Sequence, residues 1–455
     1  MLGWLARWWE AEGAEKPPPK TVQEKVLPVA KPARSSTKAP PLTTPTVASI
    51  PRFGVRRPLI GRNGDMAGFE FRLARNLENR LQSHPDVAVQ AAYVVTLLAS
   101  MQPTLQAGRL AMATVSAQVL LRPQMLEHVP AGVHLLVHPW HGNEPDAPAC
   151  LAALRAKGVL IGRLAPALPL SEPVDFVQIA LQAEHAAAFW AQLAQWRSAQ
   201  PALALLATGL DSVDDLDRAL KLGVSLAAGR VDRSLLVQKP EKNPLHNNTL
   251  RLCQLLNDVG LDRDTDAVAQ AIRTDVGLSY KLLRYVNSPA VGLLRGVESV
   301  DQAVMVLGRN ELYRWLSVLL LASMEGRVAS IALQEMALAR ARLLEGLAEQ
   351  RADALNHPPA ALFTVGLLSL LGAMLQLPLA QVLEPLRLSD TARQALLDHS
   401  GPWAPYIELV ADLERHDMAS ASKHAVVFGG MATILELSDA AWVWAAEVDK
   451  KTAAP

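Results

Sequence analysis

Cysteine is scarce in this 455-residue sequence, which contains only Cys150 and Cys253. These thiols lie far apart and form no spaced motif, so a disulfide scaffold is excluded and a reducing cytoplasm is the expected setting. An excess of charge is also lacking, because 44 basic residues balance 44 acidic ones. Proteins that coat nucleic acid or anionic membranes usually carry a positive excess, so neither is an expected partner.

Long apolar runs are missing as well. The most apolar stretch, residues 361–375, falls short of the roughly 20 residues that a membrane-spanning helix needs. The first residues, MLGWLARWWE, lack the basic start, apolar core and cleavage site of a secretory signal. We therefore expect no transmembrane segment. Hydrophobic residues make up 50% of the chain, however, which suffices for sizeable buried cores.

Residues 1–51 are predicted to precede the folded domains. Trp4 and Trp8 are spaced to share one helix face, so residues 1–15 could form a short amphipathic helix, with residues 1–12 as the part that docks. One interpretation is weak docking to a membrane or a partner, and the other is a frayed segment, because isolated helices this short are marginal in water. Proline, lysine, serine and threonine dominate from residue 16 to residue 51, which predicts a disordered linker.

The next region, residues 52–238, alternates short apolar runs with helical patterns. Strands are predicted at 109–115, 133–138, 158–164, 174–181 and 202–207, with helices between them. Ser212 is a candidate N-cap, and Gly223 follows the end of the helix that it begins. This alternation is typical of a parallel sheet, and the number of units suits a closed or nearly closed (β/α) barrel.

Residues 243–439 carry only helical patterns, and a tail follows at 440–455. Thr249 and Ser299 are candidate N-caps, and Gly308 is predicted to end the second of these helices with a positive φ. The second region is therefore predicted to be a compact multi-helix domain.

The helical region resembles an HDOD domain over about forty residues. Its sequence follows the HDOD order of an aspartate, a helix ending in Asn-Ser, a glycine turn, a Ser-x-x-x-Ala helix, a Leu-Gly pair and a Trp-bearing helix. The matching residues are Asp275, Asn287, Ser288, Gly292, Ser299, Ala303, Leu307, Gly308 and Trp315. None is an obvious nucleophile, base or metal ligand, so we interpret them mainly as structural.

The resemblance also implies that a metal site has been lost. Related HD phosphohydrolases bind metal through an adjacent His-Asp pair on a helix, and residues 362–375 place Ser369 and Leu370 at that position. Leucine offers no lone pair and serine is a poor neutral ligand. The resemblance therefore implies a helical scaffold without metal or cofactor.

Residues 56–73, RRPLIGRNGDMAGFEFRL, are similar to the start of EAL phosphodiesterases. Arg57, Pro58 and Ile60 correspond to an Arg-x-Pro-Ile strand, and Glu70 corresponds to the glutamate that binds metal in that family. The similarity implies an EAL-like (β/α) barrel in front of the HDOD-like domain.

Most of the other EAL residues are replaced. Gln178 stands at a lysine position, Ala180 at an aspartate position and Thr208 at a glutamate position, whereas Asp175 and Asp211 remain. Two-metal hydrolysis of a phosphodiester needs several converging carboxylates, so the resemblance implies a degenerate barrel without catalysis.

Histidines at positions 134, 138 and 141 offer a possible metal site. On a strand, residues four positions apart are separated by roughly 13 Å, which is too far for one ion. We interpret them as rim or surface histidines, although His138 and His141 could still share an ion across the turn at Pro139.

Together these features predict a cytoplasmic, bacterial-type signalling protein that is not an enzyme and that binds other signalling proteins through its HDOD-like domain. The resemblance implies a place in cyclic di-GMP signalling. An alternative is a sensor that has lost phosphodiesterase activity but still binds a cyclic dinucleotide, with Arg57 and Arg230 on its phosphates. The candidate contact residues are Arg57, Glu70, Arg230, Lys281, Arg284, Asn287, Ser288, Arg309 and Trp315. Lys281 and Arg284 share a helix face that either binds an acidic group or is simply solvated.

Overall fold

The computed structural model describes residues 55–73, 86–139, 147–165, 173–182, 185–232, 247–260, 263–287, 291, 296–322, 327–351, 358–415 and 417–452. The predictions for residues 1–51, His141, Ser288 and Gly292 fall outside these residues.

Eight strands within the described residues form a closed barrel in chain order. They are β1 (Val55–Gly61), β2 (Met66–Arg72), β3 (Leu110–Val115), β4 (His134–Val137), β5 (Leu160–Leu164), β6 (Phe176–Ala180), β7 (Ala204–Leu210) and β8 (Leu226–Gly229). Strand β1 runs antiparallel to both of its neighbours, β2 and β8, and the remaining pairs are parallel. The predicted (β/α) barrel is confirmed.

Helices cover much of the outside of the barrel. They are α1 (Val87–Ser100), α2 (Gln102–Gln106), α3 (Ala117–Leu120), α4 (Met125–His128), α5 (Ala147–Ala156), α6 (Ala186–Ala199) and α7 (Val213–Lys221). The predicted cap of α7 is confirmed, because the amide of Asp215 donates to Ser212 Oγ at 3.1 Å and Gly223 follows the helix with a φ of 85°.

Side chains fill the barrel interior. A separate buried cluster comprises Leu59, Met112, Leu136, Phe176, Leu206 and Ala228, one from each of six strands. Gly162 belongs to this packing, since a Cβ there would lie 2.2 Å from the Phe176 ring. His134 also lies beside that ring, with 5.7 Å between ring centroids, and burial lowers its pKa to about 4. The interior is therefore a packed core and not a pore.

The second part is helical throughout its described residues. Its helices are α8 (Asn247–Gly260), α9 (Thr265–Arg273), α10 (Val276–Val286), α11 (Val300–Ala322), α12 (Ser330–Glu349), α13 (Pro359–Leu368), α14 (Leu371–Leu375), α15 (Leu379–Leu383), α16 (Asp390–Arg393), α17 (Ala404–Arg415), α18 (Met418–Ala425) and α19 (Met431–Thr452). A π-helical turn at Gln394–Asp398 and a 3₁₀ turn at Val426–Phe428 complete this part. The predicted all-helical architecture is confirmed.

The predicted helix ends in this part are mostly confirmed. The amide of Gln302 donates to Ser299 Oγ at 3.2 Å, and Gly308 interrupts α11 with a φ of 68°. The cap at Thr249 is wrong, because α8 begins earlier, at Asn247, and Thr249 is buried within its first turn. The apolar pattern marks only the buried face of a helix, so it missed the polar residues that precede that face.

The two parts pack closely together, and one buried apolar cluster contains residues of both. The hairpin of β1 and β2 is covered on its outer side by helices of the second part. Phe69 packs edge-on against Trp442 of α19 at 4.9 Å between ring centroids, and Arg56 lies 2.8 Å from Asp439. The amide of Ala332 in α12 donates to the Gly64 carbonyl at 2.9 Å.

Among the described residues, no single helix is both long and apolar enough to cross a membrane. The segments Met418–Phe428 and Met431–Glu447, which are bent by 95° relative to each other, meet those limits only when they are taken as a pair.

Candidate functional site

The candidate site lies where the carboxyl ends of β2 to β8 meet the start of the antiparallel strand β1; we call this end the barrel mouth. Phe69 and Phe71 pack outward, so Glu70 between them faces the interior. Arg57 is paired with Glu70 in the register of β1 and β2. The topology thus brings together Arg57 and Glu70, which the sequence had singled out separately.

Glu70 is held by a guanidinium group. Its side chain is only 1% exposed, Arg57 Nη2 donates to its Oε2, and Arg72 Nε lies 3.7 Å from its Oε1. A buried carboxylate in such a pair has its charge compensated.

Two further positions of the EAL resemblance carry an amide and a hydroxyl group, on the neighbouring strands β6 and β7. Gln178 Nε2 donates to Thr208 Oγ1 at 3.1 Å, and Gln178 is only 8% exposed. Its Oε1 is buried without a hydrogen-bond partner among the described residues. An unsatisfied buried acceptor of this kind calls for an explanation, and a ligand or water that donates to it is one.

The remaining aspartates lie beside other arginines. Asp175 lies at the opposite end of the barrel, at the start of β6, where Arg155 Nε and the amide of Ile161 donate to it at 3.1 and 2.8 Å. Asp211 follows β7 and lies 3.9 Å from Arg230. Within the described residues, no group of three or more His, Cys, Asp and Glu side chains is placed to hold a metal ion. The residues present therefore do not fit the metal pair of an EAL phosphodiesterase.

A cavity of about 230 Å³ opens at the barrel mouth. Its walls come from Arg57, from the residues that follow β7 and β8, and from the last turn of α17. Arg230 donates to Asp232 through Nε and Nη2 at 3.2 and 3.1 Å, and this hydrogen bond raises the pKa of Arg230. Burial alone would raise the pKa of Asp232, but Arg230, Arg340 and Arg415 together hold it below its ordinary value.

Helix α17 connects the barrel mouth to the position where the HD metal pair is expected. Arg415 Nη1 lies 3.5 Å from Asp232 Oδ2. Arg340 donates to both oxygens of Glu414 at 2.8 and 2.6 Å and to Ser369 Oγ at 2.9 Å. Burial opposes the charge of Arg340, but the hydrogen-bonded carboxylate of Glu414 raises its pKa above the ordinary value. A guanidinium thus lies beside Ser369, in a network that no local sequence pattern signals.

The candidate residues of the helical part have different environments. Lys281 and Arg284 are exposed on α10. Asn287 ends that helix, and its amide group both donates to the Val297 carbonyl and accepts from the Val297 amide, each at 2.7 Å. Asn287 therefore has the structural role that its position at a helix end predicted.

Trp315 and Arg309 differ from the prediction that they contact a partner. Trp315 is buried in the core and stacks on Tyr285 at 6.1 Å between ring centroids, so a partner cannot reach it in this structure. A large apolar side chain on the buried face of α11 gains more from the core than from solvent. Arg309 is half-buried and donates to the carbonyl oxygens of Val259 and Arg263.

Comparison with known proteins gives a direct match for the helical part. Residues 243–396 match the HDOD domain family. The uncharacterized protein YuxH of Bacillus subtilis is 31% identical over 173 residues, which are 37% of this chain and 42% of YuxH. The cyclic di-GMP phosphodiesterase CdgJ of Vibrio cholerae is 29% identical over 162 residues, or 36% of this chain and 37% of CdgJ. The chain thus spans about two fifths of the length of these relatives.

Solved EAL domains are similar at low identity. The Xanthomonas citri FimX EAL domain, solved with c-diGMP, has 13% identity and a TM-score of 0.33, and the match covers 40% of this chain and 87% of that domain. Klebsiella pneumoniae BlrP1, solved with manganese and cy-diGMP, has 12% identity and a TM-score of 0.34, with 42% and 56% covered. Residues 243–396 thus match the HDOD domain family, and in this chain they follow a closed eight-stranded barrel.

Proposed function

We propose that this protein is a non-catalytic regulator in cyclic di-GMP signalling that acts by binding other proteins through its HDOD domain. The observation that carries the proposal is that guanidinium groups lie at both positions where the family resemblances expect metal. Arg57 engages Glu70 in the barrel, and Arg340 engages Ser369 together with Glu414 in the helical part. A side chain that carries a fixed positive charge supports folding there but cannot activate water as a metal does.

The signalling context is supported by the relative CdgJ, which is named as a cyclic di-GMP phosphodiesterase. Because the match covers only 37% of CdgJ, we carry over its signalling context to this chain but not its phosphodiesterase activity. The reason for separating context from activity is that Gln178 stands at a lysine position of the family resemblance, and Ala180 and Thr208 stand at positions of acids.

Helix α10 is the surface that best suits a protein partner. Val276 and Tyr280 are 84% and 64% exposed, and with Arg284 they follow one another along one side of the helix. Lys281 is exposed next to Tyr280. Exposed apolar groups beside two cations suit a partner that presents acidic side chains next to apolar ones.

Two measurements on the full chain test the proposal. Cyclic di-GMP is first incubated with the protein and Mg²⁺ or Mn²⁺, and we expect no linear dinucleotide or GMP above the protein-free blank. Turnover that depends on the metal and is lost in Glu70→Gln would show that the protein is an enzyme.

Partner binding is then compared between the wild type, Tyr280→Asp and Val427→Asp, the last being a control at an exposed valine outside α10. We expect proteins that co-purify with the wild type to be lost from Tyr280→Asp and kept by Val427→Asp. Equal recovery with both variants would contradict a role for α10.

A second function, binding of a cyclic dinucleotide without hydrolysis, is favoured by the cavity at the barrel mouth. Arg57 and Arg230 line it and supply guanidinium groups that suit the two phosphates of the ligand. Titration calorimetry of cyclic di-GMP into the full chain, with and without Mg²⁺, tests this function. Micromolar binding independent of Mg²⁺ would support a sensor, and no heat would leave the protein-binding proposal alone.

A further inference from the structure

The cavity at the barrel mouth is small for the ligand that the second proposed function requires. Its volume is about 230 Å³, whereas sites for drug-sized ligands occupy roughly 300–1,000 Å³. A cyclic dinucleotide, with two bases, two riboses and two phosphates, belongs at the upper end of that range. The volume is restricted by the last turn of α17, which contributes Ala411, Glu414 and Arg415 to the walls.

Buried apolar side chains, among them Leu409 and Val410, pack α17 into the core, and polar contacts add to its position over the mouth. Arg415 lies 3.5 Å from Asp232 and donates to Asp412 of its own helix at 2.6 Å. The Arg415 side chain is 35% exposed, so its pair with Asp232 is weak and can be exchanged for other partners. The stronger contact is the bidentate pair of Glu414 with the buried Arg340.

We propose that α17 is a gate, which closes the barrel mouth in this structure and has to move before a cyclic dinucleotide can occupy it. The inference rests on the second proposed function, because it concerns the regulation of that same site. A ligand that binds only the open mouth shifts the population of α17 away from the closed position, and by the same coupling a partner that holds α17 closed weakens ligand binding.

The charges at the mouth provide a route for this coupling. A phosphate that pairs with Arg230 competes with Asp232, which is the present partner of Arg230.

The test uses the full chain, cyclic di-GMP and the variant Arg415→Gln, which removes one contact of the gate at a partly exposed position. Glu414→Gln is a second, stronger variant. The control is Arg263→Gln, which removes the exposed ion pair between Arg263 and Asp258. These two residues are far along the chain from those that line the mouth. Calorimetry gives the affinity, and hydrogen exchange of residues 404–415 reports the position of α17.

We expect Arg415→Gln to bind cyclic di-GMP about 3- to 10-fold more tightly than the wild type and Glu414→Gln to bind more tightly still. Saturating ligand should lower the exchange protection of residues 404–415 in the wild type, and Arg263→Gln should behave like the wild type. Equal affinities together with unchanged protection would refute the gate and keep the sensor.

Two other results distinguish failure of the gate from failure of the non-catalytic regulator proposed above. Absence of binding in the wild type and in both gate variants would refute gate and sensor together, while leaving the non-catalytic regulator in place. Hydrolysis of cyclic di-GMP by Arg415→Gln but not by the wild type would support the gate and refute the claim that the protein is non-catalytic.

Discussion

Replacing Arg327 by methionine should lower the free energy of unfolding by about 3–5 kcal/mol, the usual cost of removing one partner from a buried ion pair. Arg327 precedes α12, and its side chain is 1% exposed. Its Nη1 donates to Asp214 at 2.9 Å and to Asp217 at 3.0 Å, both on α7 of the barrel. Its Nε donates to the carbonyl of Ala373. One side chain thus joins the barrel to two segments of the helical part.

The magnitude follows from what the substitution leaves behind. Methionine fills most of the volume but provides no positive charge, so the carboxylates of Asp214 and Asp217 stay buried without this guanidinium. Asp217 still accepts from the Ala329 amide at 3.1 Å, which argues for the lower half of the range. Since total stabilities are about 5–15 kcal/mol, a loss of this size would be a large share of the whole.

Urea unfolding followed by circular dichroism measures the effect, with Arg263→Met as the control. Arg263 forms an ion pair of similar length with Asp258, 3.1 Å, but its side chain is 62% exposed, so we expect a change below about 1 kcal/mol. Adding Asp214→Asn and Asp217→Asn to Arg327→Met should recover much of the loss, because the uncompensated charges disappear. A change below about 1 kcal/mol for Arg327→Met alone would refute the reasoning.

Three further predictions follow from local geometry. Gly64→Ala should cost about 3–4 kcal/mol, because φ is 79° and the new Cβ would lie 1.5 Å from the Val328 carbonyl oxygen. Asn287→Ala should cost about 1–3 kcal/mol by removing both hydrogen bonds to Val297. Burial lowers the pKa of His134 from 6.5 to about 4. Its contribution to the free energy of unfolding should therefore be complete above pH 6.5, and roughly 3 kcal/mol of it should be lost as the pH falls to 4. His134→Gln should flatten that part of the plot of stability against pH.

For each of these three predictions, a matched variant measured in the same unfolding assay tests whether the named contact causes the change in stability. Gly108 has a φ of 74° but no atom within 4 Å of a built Cβ, so Gly108→Ala should cost only the backbone strain of about 1–2 kcal/mol. Asn287→Asp keeps the acceptor and should lose less than the alanine variant. His138 is exposed, so His138→Gln should leave the pH profile unchanged. Equal effects in a variant and its control would mean that the contact named for it is not the cause.

Features with a local sequence signal were predictable. The N-cap at Ser212 and the break at Gly308 depend only on a few neighbouring residues, and both were confirmed. The same holds for strands β3 to β7, since a short apolar run bounded by polar residues fits a strand of a buried parallel sheet. Asn287 could be assigned to a helix end for the same reason, although its bonds to Val297 span ten residues.

Contacts between distant segments had no such signal. Arg340 and Glu414 are 74 residues apart, and Arg327 and Asp217 are 110 apart. Periodicity identifies which face of a helix is buried but not which surface covers it. The position of α17 over the barrel mouth could therefore not be predicted, even though the residues of the mouth could.

The pairing of Arg57 with Glu70 bears on how a surviving motif residue should be interpreted. In a metal site several carboxylates converge and repel each other until a cation compensates them. Once the other acids are replaced, a buried Glu70 still needs a positive partner, and Arg57 is in register to provide it. Losing the glutamate alone would then leave Arg57 beside an uncharged neighbour, at a cost in stability. The pairing with Arg57 thus gives Glu70 a role in folding that requires no metal.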